Sequence, residues 1–376
     1  MKRVIDGSDV VNDYADASFS TAVIGWQKTH GRHALPWQNT RDAYRIWLSE
    51  IMLQQTQVTA VIPYYQRFLE SFPDVATLAA APSEAVMALW SGLGYYTRAR
   101  NLHRCAQRVV AEYGGLFPSD PELLADLPGI GRSTAAAIAA FSYGKRAAIL
   151  DGNVKRVFAR VFGVEGYPGS KAVEDLLWRR AVALLPSENI ESYTQGLMDL
   201  GATLCTRSRP ACGNCPLQAR CVAFASDRVS ELPIRKPKKA LREKSTAMLL
   251  LVDQGHVLLE QRPDSGIWGG LLSLPEIAAS TAADDAVFDT ALALIVARFG
   301  EMDDYCKLQP FSHTFTHFKL HIAPYRITLA RRLHQAAEAG YLWYPQHKLH
   351  AAPLPAPVKK LLLELFGEAD LLTPLN

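Results

Sequence analysis

The stretch Leu127-Pro128-Gly129-Ile130-Gly131 decides how the N-terminal half is read. It stands between two segments of helical pattern, Pro121 to Leu127 and Arg132 to Tyr143. Proline fixes one backbone angle and the two glycines free others, so these residues predict a tight hairpin between helices. Gly129 and Gly131 also let the backbone approach a ligand closely. Amides of such a hairpin and of the next helix N-terminus point outward and suit an anion such as a DNA phosphate. An ordinary corner between two helices would use the same residues.

Outward from the hairpin, Ser18 to about Asp227 reads as nearly all helix. Further segments are Asp42 to Ser71, Ser83 to Trp90, Gly94 to Tyr113 and Gly152 to Phe162, broken at Phe72-Pro73, Ala81-Pro82 and Gly114-Gly115. The character changes at Glu231. The run Arg235-Lys236-Pro237-Lys238-Lys239, with Arg242 and Lys244, reads as a basic linker, either a solvated tether or a phosphate contact. After Ser245, strands are predicted over Thr246 to Val252, Val257 to Gln261 and Leu320 to Ala330, and helices over Val287 to Phe299 and Pro357 to Phe366. The domain plan is a flexible segment (1–17), a helical domain (18–230), the linker (231–245) and a smaller α/β domain (246–376).

A chain of 376 residues is long enough for two such cores. The net charge of +3 is too small to argue for a nucleic-acid partner by itself. The first residues are polar and carry Asp6, Asp9, Asp13 and Asp16, unlike a secretory signal or a mitochondrial presequence. Apolar runs such as Ala135 to Phe141 and Met248 to Val252 are too short to span a bilayer. The expectation is a soluble intracellular protein with no membrane partner.

Three further features bear on chemistry. Leu150-Asp151-Gly152-Asn153-Val154-Lys155-Arg156 follows one helix after the hairpin. Asp151 there either caps the helix to Phe162 or presents a carboxylate to bound DNA. Trp47 to Thr56 sets Glu50 among apolar and amide residues. A carboxyl buried in that setting holds its proton and becomes a general acid, whereas on an amphipathic helix it would be exposed. Cys105 and Cys306 stand alone, but Cys205, Cys212, Cys215 and Cys221 cluster with gaps of six, two and five residues. Four thiolates suit tetrahedral zinc or a cubane iron–sulfur cluster. Zinc sites usually show two close pairs and here only Cys212 and Cys215 are close, so the spacing leans towards iron.

In this order, the Glu-bearing helix, the hairpin, the Asp-Gly-Asn turn and the four-cysteine loop resemble the endonuclease III superfamily of helix–hairpin–helix DNA glycosylases. The resemblance covers about Trp26 to Cys221. It implies an all-α fold with a cleft between two helical subdomains, a catalytic Asp151, and a [4Fe–4S] cluster on Cys205, Cys212, Cys215 and Cys221. Arg207, Arg209 and Arg220 around that loop are expected to face phosphates.

Within the superfamily, Gly31-Arg32-His33-Ala34-Leu35-Pro36-Trp37-Gln38, Trp47 to Thr56, and Gly92-Leu93-Gly94-Tyr95-Tyr96 with Arg98 to Leu102 look like the MutY adenine DNA glycosylases. That likeness implies Glu50 as the general acid, and Arg32, Trp37, Leu53, Asn153 and Gln195 near an adenine pocket. Asn153 would also help Glu50 place the water. Gln55 would wedge into the base stack, aided by Tyr95 or Tyr96. Lyase-type relatives carry a Lys just after the hairpin, where this chain has Ser133, so water is the expected nucleophile. Lys155 lies nearby on the Asp151 segment, where adventitious trapping is the most it would give.

The C-terminal part is similar to the Nudix-like domain of the same family, in Trp268-Gly269-Gly270-Leu271-Leu272-Ser273-Leu274-Pro275. Nudix hydrolysis needs a Glu-rich helix to bind magnesium, and Ile277 to Ala286 offers mainly Ala, Ser and Asp, so no such hydrolysis is expected. Phe311-Ser312-His313-Thr314-Phe315-Thr316-His317 matches the loop by which the family senses 8-oxoguanine. Phe311, Ser312 and His313 would wedge and hydrogen-bond at that base; otherwise the run is a strand with an alternating core face. The whole reading is a monofunctional base excision repair enzyme. It would remove adenine opposite 8-oxoguanine or guanine in double-stranded DNA, as a monomer in a bacterial-type cytoplasm. Its rivals are a bifunctional pyrimidine-lesion glycosylase, a non-catalytic iron–sulfur DNA sensor and a nucleotide-pool hydrolase.

Overall fold

The computed structural model describes residues 15–236, 241–263, 265–278, 285–315, 317–333 and 339–367. The chain divides into two compact units, Met1–Ala80 with Asn101–Lys238, and Ala81–Arg100 with Lys239–Asn376. No helix among the described residues is long and apolar enough to cross a membrane.

The first unit is helical. Its elements are α1 (Ala17–His30), α2 (Ala43–Leu53), α3 (Val58–Ser71) and α4 (Val75–Ala80). Beyond α5 (Ser83–Trp90), which sorts with the second unit, come α6 (Thr97–Tyr113), α7 (Pro121–Ala125), α8 (Arg132–Tyr143), α9 (Gly152–Val161), α10 (Lys171–Ala183) and α11 (Ile190–Asp199). The Asp42 to Ser71 segment is therefore two helices. Asp42 caps α2 by accepting the Tyr44 amide, and the break falls at Gln54 to Gln57, with Gln55 in the left-handed region at φ 58°. The Gly94 to Tyr113 segment begins late, at Thr97, because Gly94 and Tyr95 take φ of 75° and 50°.

Alanine makes the centre of this unit tight. Ala135, Ala136, Ala137, Ala139 and Ala140 of α8 are all buried. The apolar face of α9, with Val154, Val157, Phe158 and Val161, packs with Phe19 and Val23 of α1 and Tyr193 and Leu197 of α11. Phe19 meets Phe158 edge-on at 5.8 Å. Each such side chain contributes about 1.5–3 kcal/mol by leaving water. After α11 the chain winds one π-helical turn, Leu200–Leu204, and then two 3-10 turns, Cys212–Asn214 and Gln218–Arg220, before α12 (Val222–Ala225).

The second unit is α/β. Strand β1 (Arg242–Asp253) runs parallel to β7 (Phe318–Arg332) and pairs antiparallel with β2 (His256–Gln261) and β4 (Glu276–Ala278). Strands β3 (Leu272–Ser273) and β8 (Tyr341–Pro345) join β2, while β5 (Gly300–Lys307) and β6 (Phe311–Thr314) join β7. Helix α13 (Asp285–Val296) lays Phe288, Leu292 and Val296 against Ala247, Leu249 and Leu251, alternate residues of β1. Helix α14 (Ala356–Phe366) follows. Residues 81–100, expected in the helical domain, sort with this unit. The Ser91 and Tyr96 hydroxyls both donate to the Leu354 carbonyl, and Arg100 donates to that of Gly269. The N-terminal segment up to residue 14, residues 237–240 of the basic linker and residues 279–284 of the stretch read for a Nudix helix lie outside the described residues.

Candidate active site

Helix α2 is apolar nearly all round, with Ile46, Trp47, Leu48, Ile51 and Met52 buried. It carries Glu50 to the wall of a cleft of about 650 Å3. The same cleft is lined by Arg32, Trp37, Leu53 and Gln195, so segments far apart in sequence converge there. Depth in the protein pushes the Glu50 carboxyl up to about 8, and the nearby Asp151 adds to the effect. Among the described residues no group donates a hydrogen bond to Glu50.

Asp151 is the N-cap of α9. It accepts the Val154 amide at 2.8 Å and faces the Asn153 side-chain amide at 3.4 Å. Burial raises its carboxyl above the usual range, while the Val154 and Asn153 amides and the Arg156 charge pull it back. Capping and electrostatic contact with Glu50 thus come from the same carboxylate. Hydrogen bonds that Asp151 has and Glu50 lacks make Asp151 the easier of the two to ionise. Asn153 Oδ1 accepts from Arg156 at 2.9 Å, and Arg156 also donates to the carbonyls of Gly201 at 2.6 Å and Cys205 at 2.7 Å.

Asp199 organises the other wall, and sequence reasoning missed it. Its fully buried carboxylate pairs with Arg32 at 2.6 Å, accepts the Arg32 amide at 2.8 Å and accepts Gln195 Nε2 at 2.9 Å. The four-residue spacing of Gln195 and Asp199 on one helix was the available signal. Trp37 is buried edge-on to Tyr65 at 5.4 Å.

Gly129 takes φ of 79°, and a Cβ there would stand 2.8 Å from Asn101 Cβ, so glycine is needed twice over. Gly131 is the N-cap of α8. Ser133 accepts the Leu150 amide at 2.9 Å, tying α8 to the residue before Asp151. Gln55 and Tyr95 are exposed, whereas the Tyr96 hydroxyl is engaged with Leu354 at 3.3 Å.

Cys205, Cys212, Cys215 and Cys221 line one cavity whose other walls include Val157, Val161, Leu200 and Leu217. Burial pushes the Cys215 thiol up to about 11, and Cys205, Cys221 and Cys212 add to this against the pull of the Leu217 amide. Four thiols crowded in an apolar cavity suit a cationic group that takes all four as thiolates. Among the described residues no three His, Cys, Asp or Glu side chains converge on a single-ion site. The buried Arg160 reaches Cys205 Sγ at 3.4 Å. Arg207 and Arg209 are exposed, but Arg220 is tied to Asp16 at 2.6 Å and to Ser18. In the protein without DNA, Arg220 therefore spends its guanidinium on the start of the first helix.

In the second unit, Phe311, Ser312 and His313 lie on β6 (Phe311–Thr314), a strand that alternates half-buried with exposed residues and buries none of them in the core. Ser312 is exposed, and His313 stands edge-on to Phe315 at 4.6 Å and beside Trp268 at 6.2 Å. Burial lowers the His313 pKa. Thr316 lies outside the described residues.

Residues 48–181 match the HhH-GPD superfamily of base excision DNA repair proteins, and residues 246–364 match the NUDIX domain. An adenine DNA glycosylase of Buchnera aphidicola subsp. Schizaphis graminum is 36% identical, over 93% of this chain and 98% of its own. One from Mus musculus is 34% identical, over 93% and 78%. Among solved structures, a thermostable thymine-DNA glycosylase superposes with a TM-score of 0.51 at 29% identity, covering 59% of this chain and all of its own.

Proposed function

The chain belongs to the adenine DNA glycosylase family of base excision repair, and we propose that it hydrolyses adenine from opposite 8-oxoguanine or guanine in double-stranded DNA. The observation that carries the proposal is the pair Glu50 and Asp151, two carboxyls in electrostatic contact, the first set in the cleft wall beside Arg32, Trp37, Leu53 and Gln195 and pushed by burial up to about 8. A group that titrates at about 8 gives up a proton readily at neutral pH yet keeps it until needed.

The adenine is buried in the duplex and must be turned out of the stack. Gln55 fills the gap, with the exposed Tyr95 as a further stacking group, and the Gly129 to Gly131 amides hold the backbone. Arg32, Trp37, Leu53 and Gln195 receive the base. Glu50 protonates it at N7, so that it leaves as a neutral purine. Asp151 stabilises the positive charge developing on the sugar. Water placed by Glu50 and Asn153 adds to the sugar and leaves an abasic site. Ser133 offers no amine, which supports single-function hydrolysis. Phe311, Ser312 and His313 read the opposite base. The protein acts as a monomer on chromosomal DNA in the cytoplasm.

Cys205, Cys212, Cys215 and Cys221 would hold a [4Fe–4S] cluster, which the four thiols lining one apolar cavity fit. When bound, the cluster supplies iron–thiolate bonds that close the loop. The test is Glu50→Gln: turnover is abolished while affinity for mispaired duplex is retained. Wild-type rates in that variant would remove Glu50 from the mechanism.

A further inference from the structure

Ser312, His321 and Glu243 form a row across three adjacent strands of the second unit. Ser312 is the register partner of His321 between β6 and β7, and Ser245 is its partner on β1. Glu243, two residues before Ser245, shares their face, with Lys319 of β7 as its register partner. Ser312 Oγ lies 3.0 Å from His321 Nδ1, and His321 Nε2 lies 3.2 Å from Glu243 Oε2.

With Glu243 ionised and the His321 ring neutral, the direction of each hydrogen bond follows. An ionised carboxylate only accepts, so His321 Nε2 carries the hydrogen. In neutral imidazole Nδ1 is then the acceptor. The Ser312 hydroxyl therefore donates inward to Nδ1 and presents only lone pairs to solvent.

We infer that Glu243 and His321 set the polarity of Ser312, so that it selects a purine edge bearing a hydrogen-bond donor. This rests on the reading of the Phe311 to His313 segment given above. Guanine offers a bare acceptor at N7, whereas 8-oxoguanine carries a hydrogen there. Opposite guanine, Ser312 and N7 set acceptor against acceptor; opposite 8-oxoguanine they form a hydrogen bond. Glu243 and His321 are positioning residues, since they act through Ser312. Their exposure at the surface is itself informative: the row contributes little to the core and is free to serve recognition.

The test compares single-turnover adenine release opposite 8-oxoguanine and opposite guanine in wild type, Glu243→Gln and His321→Phe. A Gln at position 243 can donate to Nε2, which lets Nδ1 carry the hydrogen and turns the Ser312 hydroxyl outward. The 8-oxoguanine preference is expected to fall roughly threefold to tenfold in both variants, the range of one hydrogen bond. Nitrogen-15 NMR of the His321 ring in free protein is expected to show the Nε2–H tautomer. A strong wild-type preference kept by both variants would overturn the inference alone, as would an Nδ1–H or doubly protonated ring. A wild type without any preference would overturn the underlying reading of the segment, and this inference with it.

Discussion

Gly201 has no room for a side chain, because Asn153 stands against it: a Cβ there would overlap Asn153 Cβ and lie 3.0 Å from its Cα. Gly201 belongs to the π-helical turn that leads into Cys205, and Asn153 to the first turn of α9. Arg156 seals the contact by donating to both. Backbone on the way to the cysteine loop therefore fixes where Asn153 points, and Asn153 in turn lies against Asp151.

Gly201→Ala should displace Asn153. Overpacking of this kind costs about 1–3 kcal/mol. A small misplacement of a positioning group also slows chemistry, here by up to about 100-fold in single-turnover excision. Duplex affinity should change much less. Excision at the wild-type rate would show that Asn153 is not set by this contact.

Arg156→Lys keeps the charge and loses the planar fork that serves three oxygens at once. Leaving those acceptors short of donors should cost about 1–3 kcal/mol in thermal or denaturant unfolding. An unchanged melting temperature would mean that water replaces the guanidinium without penalty.

The Glu50 carboxyl predicts a pH effect with a definite sign. Its folded-state pKa of about 8 lies above the ordinary 4.5, so the folded protein holds a proton that the unfolded chain releases in that window. Stability contributed by this group falls as pH rises through the window, by up to about 1.4 kcal/mol per pH unit. Glu50→Gln should remove that slope. It should therefore match wild type near the lower limit and melt at higher temperature near the upper one. Parallel wild-type and variant curves would contradict the burial argument. Excision by wild type should decline as pH passes about 8, where the general acid is lost.

Ser133→Ala deletes the acceptor of the Leu150 amide. The expected cost is about 1 kcal/mol, with slower excision through the Asp151 segment. Retained stability and rate would reduce Ser133 to the residue that stands where an amine does not.

Cys215→Ser should abolish the visible charge-transfer absorption of the bound cluster and lower the unfolding temperature. Stoichiometric zinc in purified wild type, without iron or that absorption, would contradict the cluster assignment.

Much of this architecture was legible because local chemistry and fold agree. Pro128 with Gly129 and Gly131 marks the hairpin, and the short apolar run from Thr246 to Val252 marks β1. Glu50 stood out as the charge in an apolar helix. The break at Gln54 to Gln57 did not, since no Pro or Gly announces it and the left-handed φ falls on a glutamine, Gln55. Asp199 and the Ser133 brace were hidden for another reason. Their partners, Arg32 and Leu150, lie 167 and 17 residues away, and periodicity does not register such pairs. The pairing of Arg220 with Asp16 and of residues 81–100 with the second unit are long-range in the same sense.

The central claim is adenine hydrolysis by Glu50 and Asp151 without an enzyme amine. The most direct test is single-turnover reaction on a duplex with adenine opposite 8-oxoguanine, the products divided between hot alkali and no treatment. Strand cleavage is expected only after alkali. Cleavage without alkali, or no adenine release from protein carrying its full cluster, would contradict it.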